Sequence, residues 1–312
     1  KATSAVTYLT PLFDDDSYPA SMNRIIERHS VDLIIPNNDR EVGKISEIRE
    51  RIGCRVFLPE RETIRICQDK HRMYEVLSDH NLPVAQAVNL TSIDDVDRAF
   101  DILPEGEKYW IRMKKGAGSR GAQWVTNREQ ARWWISLWQD LRGVSPDNFI
   151  LSEFLPGKDY AFQSVWKDGK PVVMKMCERL SYFFGRLKLS GMTSTPAIAR
   201  TVEDHEALET IIDAIKAVAQ KPHGNFCLDL KGGKDGKMHI TEFNIGRFCM
   251  ITPIFDFSGK INTAEAYLKA AMDEEIEYSD KLDYEPDIYL IRDLDTLPTI
   301  VKGTAIEGIN PA

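Results

Sequence analysis

The chain has 312 residues, 43% of them hydrophobic and 28% charged, with 40 Lys and Arg against 48 Asp and Glu for a net charge of −8. A surplus of acid argues against nucleic acid or an anionic membrane surface as partner, and no apolar run approaches the ~20 residues of a membrane span. The length allows one large core or two to three smaller ones.

Val31–Pro36, VDLIIP, is a short apolar run ending in the polar NNDRE, which predicts a buried strand. Val42–Ile52 has helical spacing and stops at Gly53, ahead of a second strand pattern, CRVFLP. This βαβ rhythm predicts a small, mainly parallel α/β unit. Asp69 is placed to cap a helix running to Asp79, with Met73, Val76 and Leu77 as its apolar stripe and Asn81 and Pro83 as its stop. From Tyr109 to Val173 the pattern turns to strands broken by glycines, around one Trp-rich helix, Asn127–Leu141. Leu208, Ile211, Ile212, Ile215 and Val218 mark an amphipathic helix leading into two strands, NFCLDLKG and KMHITEFN. For Trp133, Trp134 and Trp138 the reading is core packing, with an interface of a homo-oligomer (dimer) as the second. Five cysteines are scattered without a C-x-x-C pair or zinc spacing. With no leader pattern in the opening KATSAV, the expectation is a cytoplasmic protein with reduced thiols, whose true start is left open.

Arg112–Val125, RMKKGAGSRGAQWV, contains G-x-G-x-x-G in Gly116, Gly118 and Gly121. A dinucleotide-binding turn needs a helix directly after the glycines and an acidic residue about 20 positions on, ending the next strand. Here AQWVT is β-like and Asp140 falls inside a helical pattern, so the segment reads as strand, loop, strand. Arg112, Lys114, Lys115 and Arg120 make the loop basic. By itself this leaves open a solvated hairpin or a polyphosphate site.

Asp235-Gly236 signals a two-residue hairpin, and counting back from it places Asp229 opposite Glu242, with Asn244 on the same face. Opposed side chains lie about 5 Å apart and like charges there repel, so a cation is expected between them. Two carboxylates and an amide oxygen suit Mg²⁺. A solvent-facing pair neutralised by Lys231 is the alternative, and a longer loop through Gly232-Gly233 would shift the register by two.

Five segments in order, VDLIIPNNDRE, DKHRMYEVLSDHNLPV, WIRMKKGAGSRGA, ILSEFLPGKDYAF and CLDLKGGKDGKMHITEFNIGRF, resemble the ATP-grasp superfamily in its branch like the carbamoyl phosphate synthase large chain. The resemblance implies an α/β protein of two α+β lobes with an N-terminal Rossmann-like pre-ATP-grasp domain. The implied divisions are 1–65 for that domain, 66–105 for a linking part, 106–165 for the small lobe with its glycine flap, and 166–312 for the large lobe. It further implies ATP contacts from Lys70, Arg112, Gly116, Gly118, Ser119 and Gly121, adenine contacts from Glu153, Phe154 and Leu155, and a ribose contact from Asp159. Mg²⁺, for which Mn²⁺ can substitute, would be held by Asp229, Glu242 and Asn244. Arg247 would stabilise the transferred phosphoryl group, although Glu242-Phe-Asn244-Ile-Gly-Arg247 has one residue more than the family's E-x-N-P-R.

The function so implied is an ATP-dependent ligase joining a small-molecule carboxylate to an amine through an acylphosphate. Lys70, Arg112 and Arg247 form its catalytic set, with Arg186 and Lys188 as substrate contacts. The alternatives are phosphorylation of bicarbonate or carbamate, and a nucleotide-binding module without catalysis.

Overall fold

Leu33–Ile34 and Arg55–Val56 pair in parallel on either side of the Asp39–Glu47 helix. Each strand has two residues, so the described residues hold one βαβ unit there rather than a complete Rossmann sheet. The computed structural model describes residues 6–116, 118–193, 195–249, 251–293 and 299–303. Residues 1–5, and 304–312 of the expected large lobe, lie outside them.

A four-stranded antiparallel sheet takes its strands in the order Ala87–Asn89, Phe149–Glu153, Tyr109–Met113, Gln123–Val125. Tyr109 pairs with Val125 and Ile111 with Gln123, so the glycine segment joins two antiparallel strands as expected. The helices Asp95–Ile102 and Arg128–Arg142 bury Val96, Ala99, Ala131 and Ile135 against Ile111, Val125, Phe149 and Leu151. Asn127 caps the second by accepting from Gln130 N–H at 2.9 Å. On that helix Trp134 and Trp138 pack against the core, whereas Trp133 is 83% exposed.

The second sheet has seven strands, in the order Met238–Ile245, Gly224–Gly232, Asp159–Lys167, Lys170–Tyr182, Pro196–Thr201, Ile288–Ile291, Thr299–Lys302. Asp159–Lys167 is buried almost throughout because both of its faces are covered. Tyr160, Phe162 and Trp166 share a core with Ile211 and Ile215 of the His205–Val218 helix and with the N-terminal unit, while Val165 meets the Thr263–Ala271 helix through Tyr267. The hydrogen-bond ladder therefore changes sheet between Glu153 and Asp159, ahead of the expected 165, and Ala87–Asn89, expected in the linking part, is a strand of the small sheet.

Asp229 does pair with Glu242, but the expected turn is not what joins their strands. Gly232 pairs with Met238, and Gly233 N–H donates to the Lys237 carbonyl at 2.8 Å, giving a longer loop. A bulge after Asp229, where Leu230 pairs with Ile240, leaves Thr241 as the extra residue and restores the register.

Candidate active site

The two sheets face a cleft, open to solvent, that takes in Lys70, Arg112, Asp229, Glu242, Asn244 and Arg247. Lys70 is the first residue of the Lys70–Asp79 helix, whose Asp69 cap accepts from His71 N–H at 3.1 Å. Its ammonium donates to the Gly116 carbonyl at 3.2 Å and stands 3.4 Å from Glu242. Arg112 comes from the small sheet and lies 3.6 Å from the same Glu242 oxygen. It also donates to Tyr74 Oη and, at 2.6 Å, to the carbonyl of Thr241, the extra residue of the bulge. Both cations are buried, and buried charge is tolerated only with such partners.

Burial pushes the Glu242 carboxyl up, but Lys70, Arg112 and Arg247 outweigh it and hold the group below its ordinary value. The opposed Asp229 moves the other way: burial raises it, Arg179 lowers it, and the neighbouring Glu242 and Asp159 raise it again. Asn244 donates to Asp229 at 3.3 Å, so the three residues converge as expected. Among the described residues no three His, Cys, Asp or Glu side chains cluster for a metal. The set is two carboxylates and an amide oxygen, and one carboxylate is held up partly by the other, a repulsion that a divalent cation relieves. That donor chemistry fits Mg²⁺.

Arg247 reaches the cleft despite the added residue. The strand ends at Ile245, and Gly246 turns the chain with φ +73°. Arg247 Nε then donates to Asp39 at 2.5 Å and its Nη2 to Asn244 Oδ1. Burial lowers the guanidinium, but Asp39 more than offsets this and its pKa is raised.

Gly116, Gly118, Ser119, Glu153, Phe154, Leu155 and Asp159 also line the cleft. Gly116, Gly118, Gly121 and Ser119 all have positive φ, and the Gly121 carbonyl accepts from Trp134 Nε1 at 2.9 Å. Glu153 accepts the Gln86 N–H at 2.8 Å. Asp159 is occupied: one oxygen takes Arg179 Nε at 2.8 Å and a second Arg179 N–H, the other Tyr182 Oη at 2.5 Å and Lys231 at 3.3 Å. A carboxylate offers about four lone-pair sites, so a ribose hydroxyl would have to displace a partner. Arg186 and Lys188 lie outside this cleft, exposed around a shallower hollow with Trp124.

Arg179, which lines the same cleft and bridges Asp159 and Asp229, was not singled out from the sequence. Lys175, Cys177 and Arg179 alternate along Lys170–Tyr182, and that period of two in polar residues was the available signal. Tyr74 carried a signal too, standing four residues after Lys70 on one helix face.

No family model matches the sequence, and no curated protein matches it. Among solved structures the chain is similar to biotin carboxylase from Campylobacter jejuni in a β,γ-ATP complex, with TM-score 0.70 and 14% identity over 89% of this chain and 62% of that one. It is also similar to L-amino acid ligase from Bacillus licheniformis, with TM-score 0.68 and 13% identity over 90% of this chain and 66% of that one. Carboxyaminoimidazole ribonucleotide synthase from Aspergillus clavatus, complexed with ATP, gives TM-score 0.65 and 15% identity over 88% of this chain and 73% of that one. The chain thus spans less than two thirds of the length of the biotin carboxylase, and at these identities the likeness is one of fold.

Proposed function

Starting from the ATP-grasp fold that this chain shares with those proteins, we propose that it is an ATP-dependent carboxylate–amine ligase. It transfers the γ-phosphoryl group of ATP to a small-molecule carboxylate, and an amine attacks the acylphosphate to leave an amide or peptide bond with ADP and phosphate. The observation that carries this is the meeting of Lys70 and Arg112, from different parts of the fold, on Glu242 beside Asn244 and Arg247. In a chain of net charge −8, the cleft is lined by six cationic and four anionic side chains, which suits a polyanionic ligand.

Phosphoryl transfer asks the protein chiefly for positioning and charge neutralisation. Lys70 and Arg112 would take phosphate oxygens in exchange for Glu242, Arg112 as a fork. Asp229, Glu242 and Asn244 would hold Mg²⁺, which supplies charge neutralisation at the phosphates. Arg247, pinned by Asp39 and Asn244, would face the transferred group. The glycine segment would fold over the phosphates and keep water from the acylphosphate.

The test is release of ADP and phosphate from Mg-ATP with pools of carboxylates and amines. Release that needs both an acid and an amine supports the ligase. Release that needs bicarbonate supports the second reading, phosphorylation of bicarbonate or carbamate, which gains from a similar structure, a 2-oxoglutarate carboxylase domain bound to MgADP and bicarbonate. Tight ATP binding without turnover in any pool sinks both and leaves a nucleotide-binding module.

A further inference from the structure

A row of polar side chains crosses four neighbouring strands of the large sheet. Asn244 stands opposite Cys227, Cys227 opposite Gln163, and Gln163 opposite Lys175. Directly opposed residues of antiparallel strands share a face. Each member of the row grips the segment that follows the Met238–Ile245 strand, in sequence order. Asn244 Oδ1 accepts from Arg247 Nη2, and Cys227 Sγ donates to the Arg247 carbonyl at 3.2 Å. Gln163 Oε1 accepts from Cys249 N–H at 3.0 Å and from the Thr252 hydroxyl at 2.8 Å. Lys175 donates to the Phe255 carbonyl and, at 2.6 Å, to that of Ile261.

Gln163 and Lys175 are each 1% exposed and do not line the cleft. Polar groups at the centre of a buried sheet cost stability unless bonded; Lys175 is compensated by Asp283 at 3.3 Å and Asp256 at 3.7 Å, but Gln163 Nε2 has no partner, so packing alone does not account for Gln163. Position does. Strand alternation dictates where a side chain points only as far as Ile245, and the turn at Gly246 releases Arg247 from it. Asp39 and Asn244 hold the Arg247 guanidinium itself, but the backbone that carries it, together with Cys249 and Ile251 of the same cleft, must be fixed by other contacts.

We propose that Gln163 is a positioning residue for phosphoryl transfer, holding Cys249 and Thr252 in place so that the Arg247 guanidinium faces the cleft. The proposal rests on the ligase reading.

Gln163→Leu removes both acceptor contacts, and Gln163→Glu keeps an acceptor oxygen. Two measurements apply to the full chain: amide hydrogen exchange over 247–261 without nucleotide, and kcat and KM for ATP from Mg-ATP-dependent ADP release. Gln163→Leu should speed exchange there about tenfold and lower kcat about tenfold, with KM for ATP within about twofold of wild type, as expected for two lost hydrogen bonds of modest net worth acting on the transition state. Gln163→Glu should recover most of both. Thr252→Val removes one of the two contacts without touching the sheet, along with the hydroxyl's 2.6 Å contact to the Cys249 carbonyl, and should give the same split at about threefold, which keeps the test open if Gln163→Leu does not fold. Unchanged exchange or kcat in these variants overturns the assignment alone, as does a KM that changes in step with kcat. A wild-type chain that neither binds nor turns over Mg-ATP overturns the ligase reading and this assignment with it.

Discussion

Arg179 ties Asp159 to Asp229, with Nε 2.8 Å from the first carboxylate and Nη1 3.0 Å from the second. Its side chain is only 13% exposed, so the three charges are held together largely out of water. Arg179→Ala leaves two buried carboxylates facing each other near Glu242. Breaking one side of a buried ion pair costs about 3–5 kcal/mol. Urea unfolding at neutral pH should show a loss of that order, partly recovered by adding Asp229→Asn. An unmoved midpoint would remove this network from the account of stability.

Lys70 and Arg112 converge on one Glu242 oxygen, and on the proposed function both turn to phosphate. Lys70→Met should lower kcat/KM for ATP by roughly 100-fold, the usual scale for losing one preorganised donor. Arg112→Lys keeps the charge but loses the fork and should cost about tenfold. Initial rates of ADP release check both, and wild-type rates in either variant would sink the phosphate assignment.

Glu242 belongs to the donor set that fits Mg²⁺. Glu242→Gln keeps the shape and removes one charge, so the Mg²⁺ concentration for half-maximal turnover should rise at least about tenfold at fixed ATP. A Mg²⁺ dependence identical to wild type would place the metal elsewhere.

Gly246 has φ +73°, and a Cβ there would stand 2.8 Å from Val42 Cγ1. A non-glycine residue in that region costs about 1–3 kcal/mol before any clash. Gly246→Ala should therefore lower the thermal midpoint and also loosen Arg247. Calorimetry and ATP turnover measure the two effects separately, and a variant as stable as wild type would refute the strain.

Asp273 bonds Lys167 and Arg55, at 2.6 Å each, and those hydrogen bonds lower its pKa to about 2 from 3.8. A folded pKa below the unfolded one means that this contribution is complete above pH 3.8 and fades as the pH falls toward 2. The stability gap between wild type and Asp273→Asn should close as the pH is lowered through that window. A gap that does not change with pH would contradict the pairing.

Local patterns were legible because backbone geometry and burial act over a few residues. The Asp69 cap, the stripe from Leu208 to Val218 and the strand–loop–strand form of the glycine segment all follow from spacing alone. The pairing of Asp229 with Glu242 was legible as well, though by a count that did not anticipate the longer loop or the bulge at Thr241. Each of those shifts the register, and only together do they cancel.

By itself the sequence determined several of the helices and strands, the basic glycine loop and the set of residues resembling an ATP site. Tertiary structure decided which charges meet. Arg247 is held by Asp39 from 208 positions away, Arg112 by Tyr74 and Thr241, and Asp159 by Arg179, Tyr182 and Lys231. Spacing along the chain settles contacts within a helix or a hairpin. Contacts between distant strands depend on sheet order, and that order follows from the shared core that the whole chain folds around.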